Sequence, residues 1–97
     1  MNYRHNPSVI VTDLEDELVL LDPISKQMFS LNAVGRVLWL ELPALGLQGA
    51  LERVTRLFDV SFDQARTDAL LVIDHLVKSN LLEVLNPVTD SGKPEVT

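Results

Sequence analysis

Side chains that could act as nucleophiles, bases or metal ligands are few in this sequence. Its 97 residues include no cysteine and two histidines, His5 and His75. The lack of cysteine excludes disulfides, thiol catalysis and zinc–thiolate sites. His75 follows Asp74, but adjacent positions on a helix point in different directions, so the two do not form an oriented catalytic pair. Since no histidine or carboxylate spacing is typical of a metal site either, we expect no enzymatic activity, no metal and no cofactor.

Four acidic residues lie close together near the start of the chain, at Asp13, Glu15, Asp16 and Glu17. An EF-hand calcium loop needs alternating oxygen ligands, a central glycine and a final bidentate glutamate, and this stretch does not follow that pattern. A hairpin tip exposed to solvent explains the cluster better than a calcium site does.

Charge and hydropathy limit the function classes further. The chain has 8 Lys and Arg against 14 Asp and Glu, a formal net charge of −6, whereas proteins that bind nucleic acids usually concentrate positive charge. Hydrophobic residues make up 46% of the chain, enough for a folded core. No apolar run has the roughly 18 residues of a transmembrane helix, and residues 1–6 lack the apolar segment of a signal peptide. We expect a cytoplasmic protein.

Three short apolar runs lie in the first third of the chain. Residues 9–12, 17–21 and 27–31 are typical of β-strands, and the first two runs are separated by the acidic stretch. Asp22-Pro23 opens the second connection, because proline presets the φ angle that a turn requires. The sequence therefore predicts a three-stranded antiparallel sheet.

Three helices are predicted after the sheet. The first begins at the N-cap Asn32 and ends at Pro43, the second covers residues 47–58, and the third runs from the capping box at Ser61 to about residue 79. Residues 81–85 form a short exit segment that can be a strand. We expect residues 1–85 to form one domain and residues 86–97, rich in Pro, Ser and Thr, to be a flexible tail.

The third predicted helix is apolar around most of its circumference, so it needs more than one neighbour. One stripe is predicted to face the helical core: Phe62, Ala65, Ala69, Val72 and Leu76. A second stripe beside it is predicted to be available to a binding partner: Arg66, Leu70, Ile73 and Val77. The alternative for the second stripe is packing beneath the sheet.

The order of these elements, together with particular residues, resembles the PqqD-like family over residues 7–83. The matching pattern is ELVLLDP at residues 17–23, FSLN at 29–32, Gly35, Trp39, FDV at 58–60, Asp68-Ala69, Leu76 and Leu81-Leu82. Lys26 and Asn80 depart from it, since glycine is usual near both positions. Glycine there serves backbone geometry, so these departures do not affect the functional expectation.

The resemblance implies an α+β, winged-helix-like fold with a three-stranded antiparallel sheet followed by three helices. It also implies binding of the leader segment of a ribosomally made precursor peptide. The leader is expected to add as a strand to the open edge of the third predicted strand, in a groove shared with the third helix. The expected peptide-binding residues are Gln27, Met28, Phe29, Ser30, Leu31, Arg66, Leu70, Ile73, Asp74 and Val77.

The implied partners are the precursor leader peptide and a maturation enzyme, with neither nucleic acid nor membrane. A leader peptidase of lasso-peptide biosynthesis is the favoured enzyme, and pyrroloquinoline quinone synthesis or another modified-peptide pathway is the alternative. Two other classes stay open, namely a winged-helix DNA-binding regulator and a small structural subunit. A DNA reader needs a basic recognition helix, whereas the third helix carries Asp63, Asp68 and Asp74 against Arg66 and Lys78.

Overall fold

The computed structural model describes residues 2–85, which form a mixed α+β fold with antiparallel sheets. The elements in chain order are β1 (Asn2–His5), β2 (Ile10–Asp13), β3 (Leu18–Leu21), β4 (Met28–Leu31), α1 (Ala33–Leu57), α2 (Phe62–Lys78) and β5 (Leu82–Leu85). The tail predicted for residues 86–97 lies outside the described residues, so the division at residue 85 stays a prediction.

The predicted three-stranded sheet is confirmed, with the order β2-β3-β4 and antiparallel pairing throughout. Leu20 lies opposite Val11 on one side and Phe29 on the other. Because side chains alternate between the two faces of a strand, Leu18 and Leu20 both point to the core, and both are fully buried. Lys26, at the departure from the usual glycine, adopts a positive φ of 67° in the β3–β4 turn.

A second, two-stranded sheet joins the two ends of the described chain. β1 pairs antiparallel with β5, which is the predicted exit segment, so that Tyr3 lies opposite Val84. β1 is not among the predicted strands, because residues 2–5 are mostly polar and carry no apolar alternation. β1 is anchored by the buried Tyr3 ring and by His5, whose imidazole stacks on Trp39 with 3.8 Å between the ring centroids.

Residues 33–57, where two separate helices were expected, form one continuous element with a non-helical residue inside it. Pro43 does not end this helix. The backbone leaves helical geometry at Gly46 instead, with φ 73° and ψ −177°, values that glycine adopts without steric cost. α1 therefore consists of two helical segments that meet at a kink at Gly46, three residues after the predicted end at Pro43.

Pro43 is accommodated by a hydrogen bond from outside the helix. The amide of residue 43 would ordinarily donate to the carbonyl of Trp39, but proline has no N–H group. Nε2 of His5 donates to the Trp39 carbonyl oxygen instead, at 2.6 Å. β1 therefore supplies the donor that α1 lacks.

α2 begins at the predicted N-cap, with the hydroxyl of Ser61 accepting a hydrogen bond from the amide of Gln64 at 3.2 Å. The side chain of Gln64 donates to Asp68 at 3.0 Å instead of returning to Ser61 as a capping box requires. Its buried residues are Ala65, Ala69, Ile73 and Leu76. This spacing rotates the buried face toward Ile73 and away from Val72, which is half-buried. The prediction that Phe62 faces the core is wrong, because 36% of this first helical residue is exposed.

Candidate functional site

β4 is an edge strand of the three-stranded sheet, so some of its backbone N–H and C=O groups face outward. The hydrogen bonds of the β3–β4 hairpin show which residues these groups belong to. The amide of Asp22 donates to the carbonyl of Gln27 at 2.9 Å, so these two residues form a hydrogen-bonded pair. Hydrogen-bonded and non-hydrogen-bonded pairs alternate along an antiparallel ladder. Phe29 and Leu31 therefore direct their backbone groups toward β3, whereas Met28 and Ser30 direct theirs to the open edge. The sequence alone does not determine which alternate residues of β4 face the open edge.

A groove of about 290 Å³ lies between β4 and α2. Its lining residues are Ser30, Leu31, Leu71, Val72, His75 and Leu76. Beside it the His75 imidazole meets the Phe29 ring edge-on, with 5.3 Å between the centroids. Leu71 is 68% exposed and is available to a molecule in the groove. An unpaired strand edge next to an apolar groove is suited to an extended peptide.

A larger cleft of about 880 Å³ lies on the opposite flank of α2, next to the kink of α1. All five helix residues predicted to bind peptide line this cleft: Arg66, Leu70, Ile73, Asp74 and Val77. Leu45 and Leu47 from the kink and Val84 from β5 complete its apolar walls. It is therefore separated from β4 by the body of α2.

The structure thus brings the predicted strand residues and the predicted helix residues to two different surfaces. The expectation that they share one groove is wrong, because the buried stripe of α2 runs between the two flanks. Leu71 and His75, which the prediction missed, are the helix residues next to β4. Their spacing of four places them on one face of the helix. Both flanks of α2 are apolar, however, so the periodicity of the sequence could not show which flank meets the sheet.

The solvent face of the three-stranded sheet carries a row of apolar side chains. Ile10, Leu21 and Met28 lie directly opposite one another on neighbouring strands. Ile10 is 51% exposed and Met28 is 68% exposed, and Ile24 in the following turn is 82% exposed. We call this row, with Ile24, the outer sheet patch. Exposed apolar residues that cluster in this way mark interaction surfaces.

One end of this sheet is acidic and is tied to α1 by an ion pair. The Arg36 guanidinium donates to both carboxylate oxygens of Asp13, at 2.7 and 2.8 Å. These bonds, with a further one from the amide of Glu15, lower the pKa of Asp13 to about 2. Glu17 accepts a hydrogen bond from the hydroxyl of Ser30 at 2.9 Å. The predicted acidic hairpin tip is therefore partly ordered by contacts to neighbouring elements.

Among residues 2–85, no three His, Asp or Glu side chains come together in an arrangement that could hold a metal ion. Neither helix in these residues combines the length and the hydropathy that crossing a membrane requires.

Residues 17–82 match the family described as Coenzyme PQQ synthesis protein D (PqqD). This match covers more than half of the chain and includes both the open edge and α2. The chain belongs to the PqqD family. No curated protein sequence matches this family member significantly.

Two solved structures share the fold of this PqqD-family chain. One is TbiB1 in complex with the TbiA(beta) leader peptide, at 23% identity and a TM-score of 0.74, with 90% of this chain and 100% of that chain covered. The other is lasso peptide synthetase B1 complexed with the leader peptide, at 19% identity and a TM-score of 0.75, covering 87% of this chain and 100% of that one. Both are complexes with leader peptides.

Proposed function

We propose that this PqqD-family protein binds the leader segment of a ribosomally made precursor peptide and presents it to a maturation enzyme. The observation that carries the proposal is the open edge of β4 beside an apolar groove. The two solved structures of the same fold, both complexes with leader peptides, support it. They also favour a lasso-type leader peptidase as the enzyme, with pyrroloquinoline quinone synthesis or another modified-peptide pathway as the alternative.

In this proposal the leader peptide adds as a fourth strand beside β4. Met28 and Ser30 each offer one N–H donor and one C=O acceptor to it. A net contribution of about 0.5–1.5 kcal/mol for each hydrogen bond gives affinity for any extended peptide. Specificity then comes from side chains that enter the groove beside Leu71 and His75.

The five helix residues on the far flank of α2 stay a prediction for peptide contact. Arg66 and Leu70 would be reached by a leader peptide that continues past β4 and around the helix. The large cleft in which they lie has room for such a segment.

The winged-helix-like arrangement is part of the same proposal, and it also allows a DNA-binding function. The charge of α2 argues against that alternative, since Asp63 and Asp68 are exposed and would repel phosphate groups. Of the cations on α2, Lys78 already forms an ion pair with Asp74 at 3.1 Å. We therefore favour the peptide adaptor.

The maturation enzyme is proposed to dock on the outer sheet patch, in the cytoplasm. A leader strand on β4 would widen this face by one strand, so the enzyme would contact the sheet and the bound peptide together. The protein would act without catalysis, by raising the concentration of precursor near the enzyme.

Proline substitution along β4 tests the strand addition. Ser30→Pro removes an outward donor, and the change is tolerated at an edge strand, so it should abolish binding of a fluorescent leader peptide while leaving the fold intact. Phe29→Pro removes a bond to β3 and should lower the melting temperature. Fluorescence anisotropy and thermal melts measure the two effects. Unchanged peptide affinity in both Met28→Pro and Ser30→Pro would contradict strand addition on β4.

The adaptor role is tested by mass spectrometry. The purified protein alone should leave the mass of the precursor unchanged, whereas addition of the leader peptidase should release the leader. Cleavage or modification of the precursor by this protein alone would contradict the role.

Docking on the outer sheet patch is tested with the double variant Ile10→Thr and Ile24→Thr. It should reduce the stimulation of the peptidase and keep the affinity for the leader peptide. Leu57→Thr removes a similarly exposed side chain from α1 and serves as the control. Equal peptidase rates with the double variant, the control and the unaltered protein would contradict this docking surface.

A further inference from the structure

We propose that Glu17 is a specificity-determining residue that selects leader peptides with a lysine or arginine next to the segment that pairs with β4. The inference rests on the peptide binding proposed above, and it adds that a positive charge on the leader peptide contributes to selection. It depends on three features of Glu17: its fixed position, its unpaired charge, and its distance from the open edge.

Glu17 is held at the start of β3 by the hairpin. Its carbonyl oxygen accepts a hydrogen bond from the amide of Leu14 at 2.9 Å. Leu18 points into the core, so the preceding side chain of Glu17 lies on the solvent face of the sheet. There Oε2 of Glu17 accepts the hydrogen bond from Ser30, which draws the carboxylate toward β4.

The charge of this carboxylate is not neutralised within residues 2–85. The ion pairs there use four other acids: Glu83, Asp13, Glu41 and Asp74. Arg36 of α1, which reaches this hairpin, is bound to Asp13. Glu15 and Asp16 add further negative charge next to Glu17. This end of the sheet therefore attracts a cation.

The distance to the open edge suits a long cationic side chain. Neighbouring strands are about 4.8 Å apart, so a peptide strand on β4 would run roughly 10 Å from β3. Ser30 is the small side chain between them on the solvent face, and the carboxylate of Glu17 already reaches it. A lysine or arginine on the same face of the peptide can therefore meet Glu17 above Ser30, whereas an aspartate or glutamate would be repelled.

The test is a double-mutant cycle between Glu17 and the peptide. The probe is a fluorescein-labelled precursor leader peptide, together with variants in which each lysine or arginine is replaced singly by methionine. Glu17→Gln should weaken binding of the native leader about two- to fivefold, in the range of an exposed ion pair. The loss should disappear for one of the methionine variants and shrink at 0.5 M salt.

Two protein variants control this experiment. Glu52→Gln removes an exposed carboxylate from α1 and should leave every affinity unchanged. Ser30→Ala keeps the charge of Glu17 but frees its side chain, so it should reduce the coupling to the same peptide position without abolishing it.

Each remaining outcome rejects the inference. Equal weakening of all peptides by Glu17→Gln would assign Glu17 a structural role, and no weakening would remove it from the site. A leader that binds tightly with no lysine or arginine would also overturn the proposal. Failure of the unaltered protein to bind any leader would instead reject the proposed function itself.

Discussion

The two sheets of this protein are covered very differently. The β1–β5 ribbon packs on both helices, β1 against α1 and β5 against α2, and it buries Tyr3 and Leu82 almost completely. In the three-stranded sheet, β2 is exposed at all four of its residues, and the solvent face carries the outer sheet patch. Exposed apolar area contributes little to folding, so its presence in one sheet indicates a use in binding.

This difference separates stability from recognition within one small domain. Substitutions in the ribbon should change the free energy of unfolding, whereas substitutions on the solvent face of the three-stranded sheet should change the affinity for a partner.

Truncation of Leu82 in the ribbon should have the largest effect on stability. Leu82→Ala empties a buried position and should cost about 2–5 kcal/mol of the free energy of unfolding. Ile24→Ala, in the exposed turn between β3 and β4, should leave the free energy of unfolding almost unchanged. Urea denaturation measures both. Similar losses for the two variants would remove the distinction between the sheets.

Loss of the His5 side chain should be the next largest effect. His5→Ala leaves the Trp39 carbonyl without its donor and should cost about 1–3 kcal/mol. In a chain that also carries Pro43→Ala, the amide of residue 43 can donate instead, so the same substitution should cost less. A double-mutant cycle by urea denaturation measures the coupling, and additive losses would argue against the exchange of donors.

The three-stranded sheet could be predicted from the sequence, whereas the β1–β5 ribbon could not, because β1 is held by long-range contacts such as that of His5 with Trp39. The strands of the meander alternate around Leu18 and Leu20, and turns such as Asp22-Pro23 have a local sequence signature. β1 has no such pattern, because its place depends on Trp39 and Val84, which are distant in the sequence. Pro43 was misinterpreted as a helix end for a related reason, since its missing donor is replaced from β1.

Truncation of one leucine on each flank of α2 should have a smaller effect, on affinity. Leu71→Ala, on the groove beside β4, should weaken leader binding roughly fivefold, or about 1 kcal/mol. Leu70→Ala, in the cleft on the other flank, is the matched variant and should have less effect. Isothermal titration with the leader peptide compares them. A larger loss for Leu70→Ala would support the peptide contacts predicted for Arg66 and its neighbours.

The part of the candidate site that depends on neighbouring residues in the sequence could be predicted. The open strand from Met28 to Leu31 followed from the pattern of runs and turns and from the family resemblance. The partner flank of α2 did not follow, because residues 69–73 are apolar on every side. Only the tertiary contact between Phe29 and His75 reveals which flank adjoins the strand.

The smallest predicted effect is a pH dependence from the Asp13–Arg36 ion pair. The pKa of Asp13 falls from its ordinary 3.8 to about 2, chiefly through the hydrogen bonds from Arg36. A lowered carboxyl pKa stabilises the folded state above pH 4, and this contribution is lost as the pH falls toward 2. The melting temperatures of the unaltered protein and of Asp13→Asn should therefore differ slightly at pH 6, and the difference should shrink as the pH falls from 4 toward 2. A constant difference would exclude the ion pair as its cause.

The pairing of β1 with β5 has a consequence for protein engineering. Asn2 and Leu85 are direct partners in the ladder, so the first and last residues of the described structure lie side by side. A host enzyme could carry residues 2–85 within one of its surface loops without separating the two ends of that loop. By the same geometry, a short peptide joining Leu85 to Asn2 would allow a circular permutant to be opened at the exposed β2–β3 hairpin.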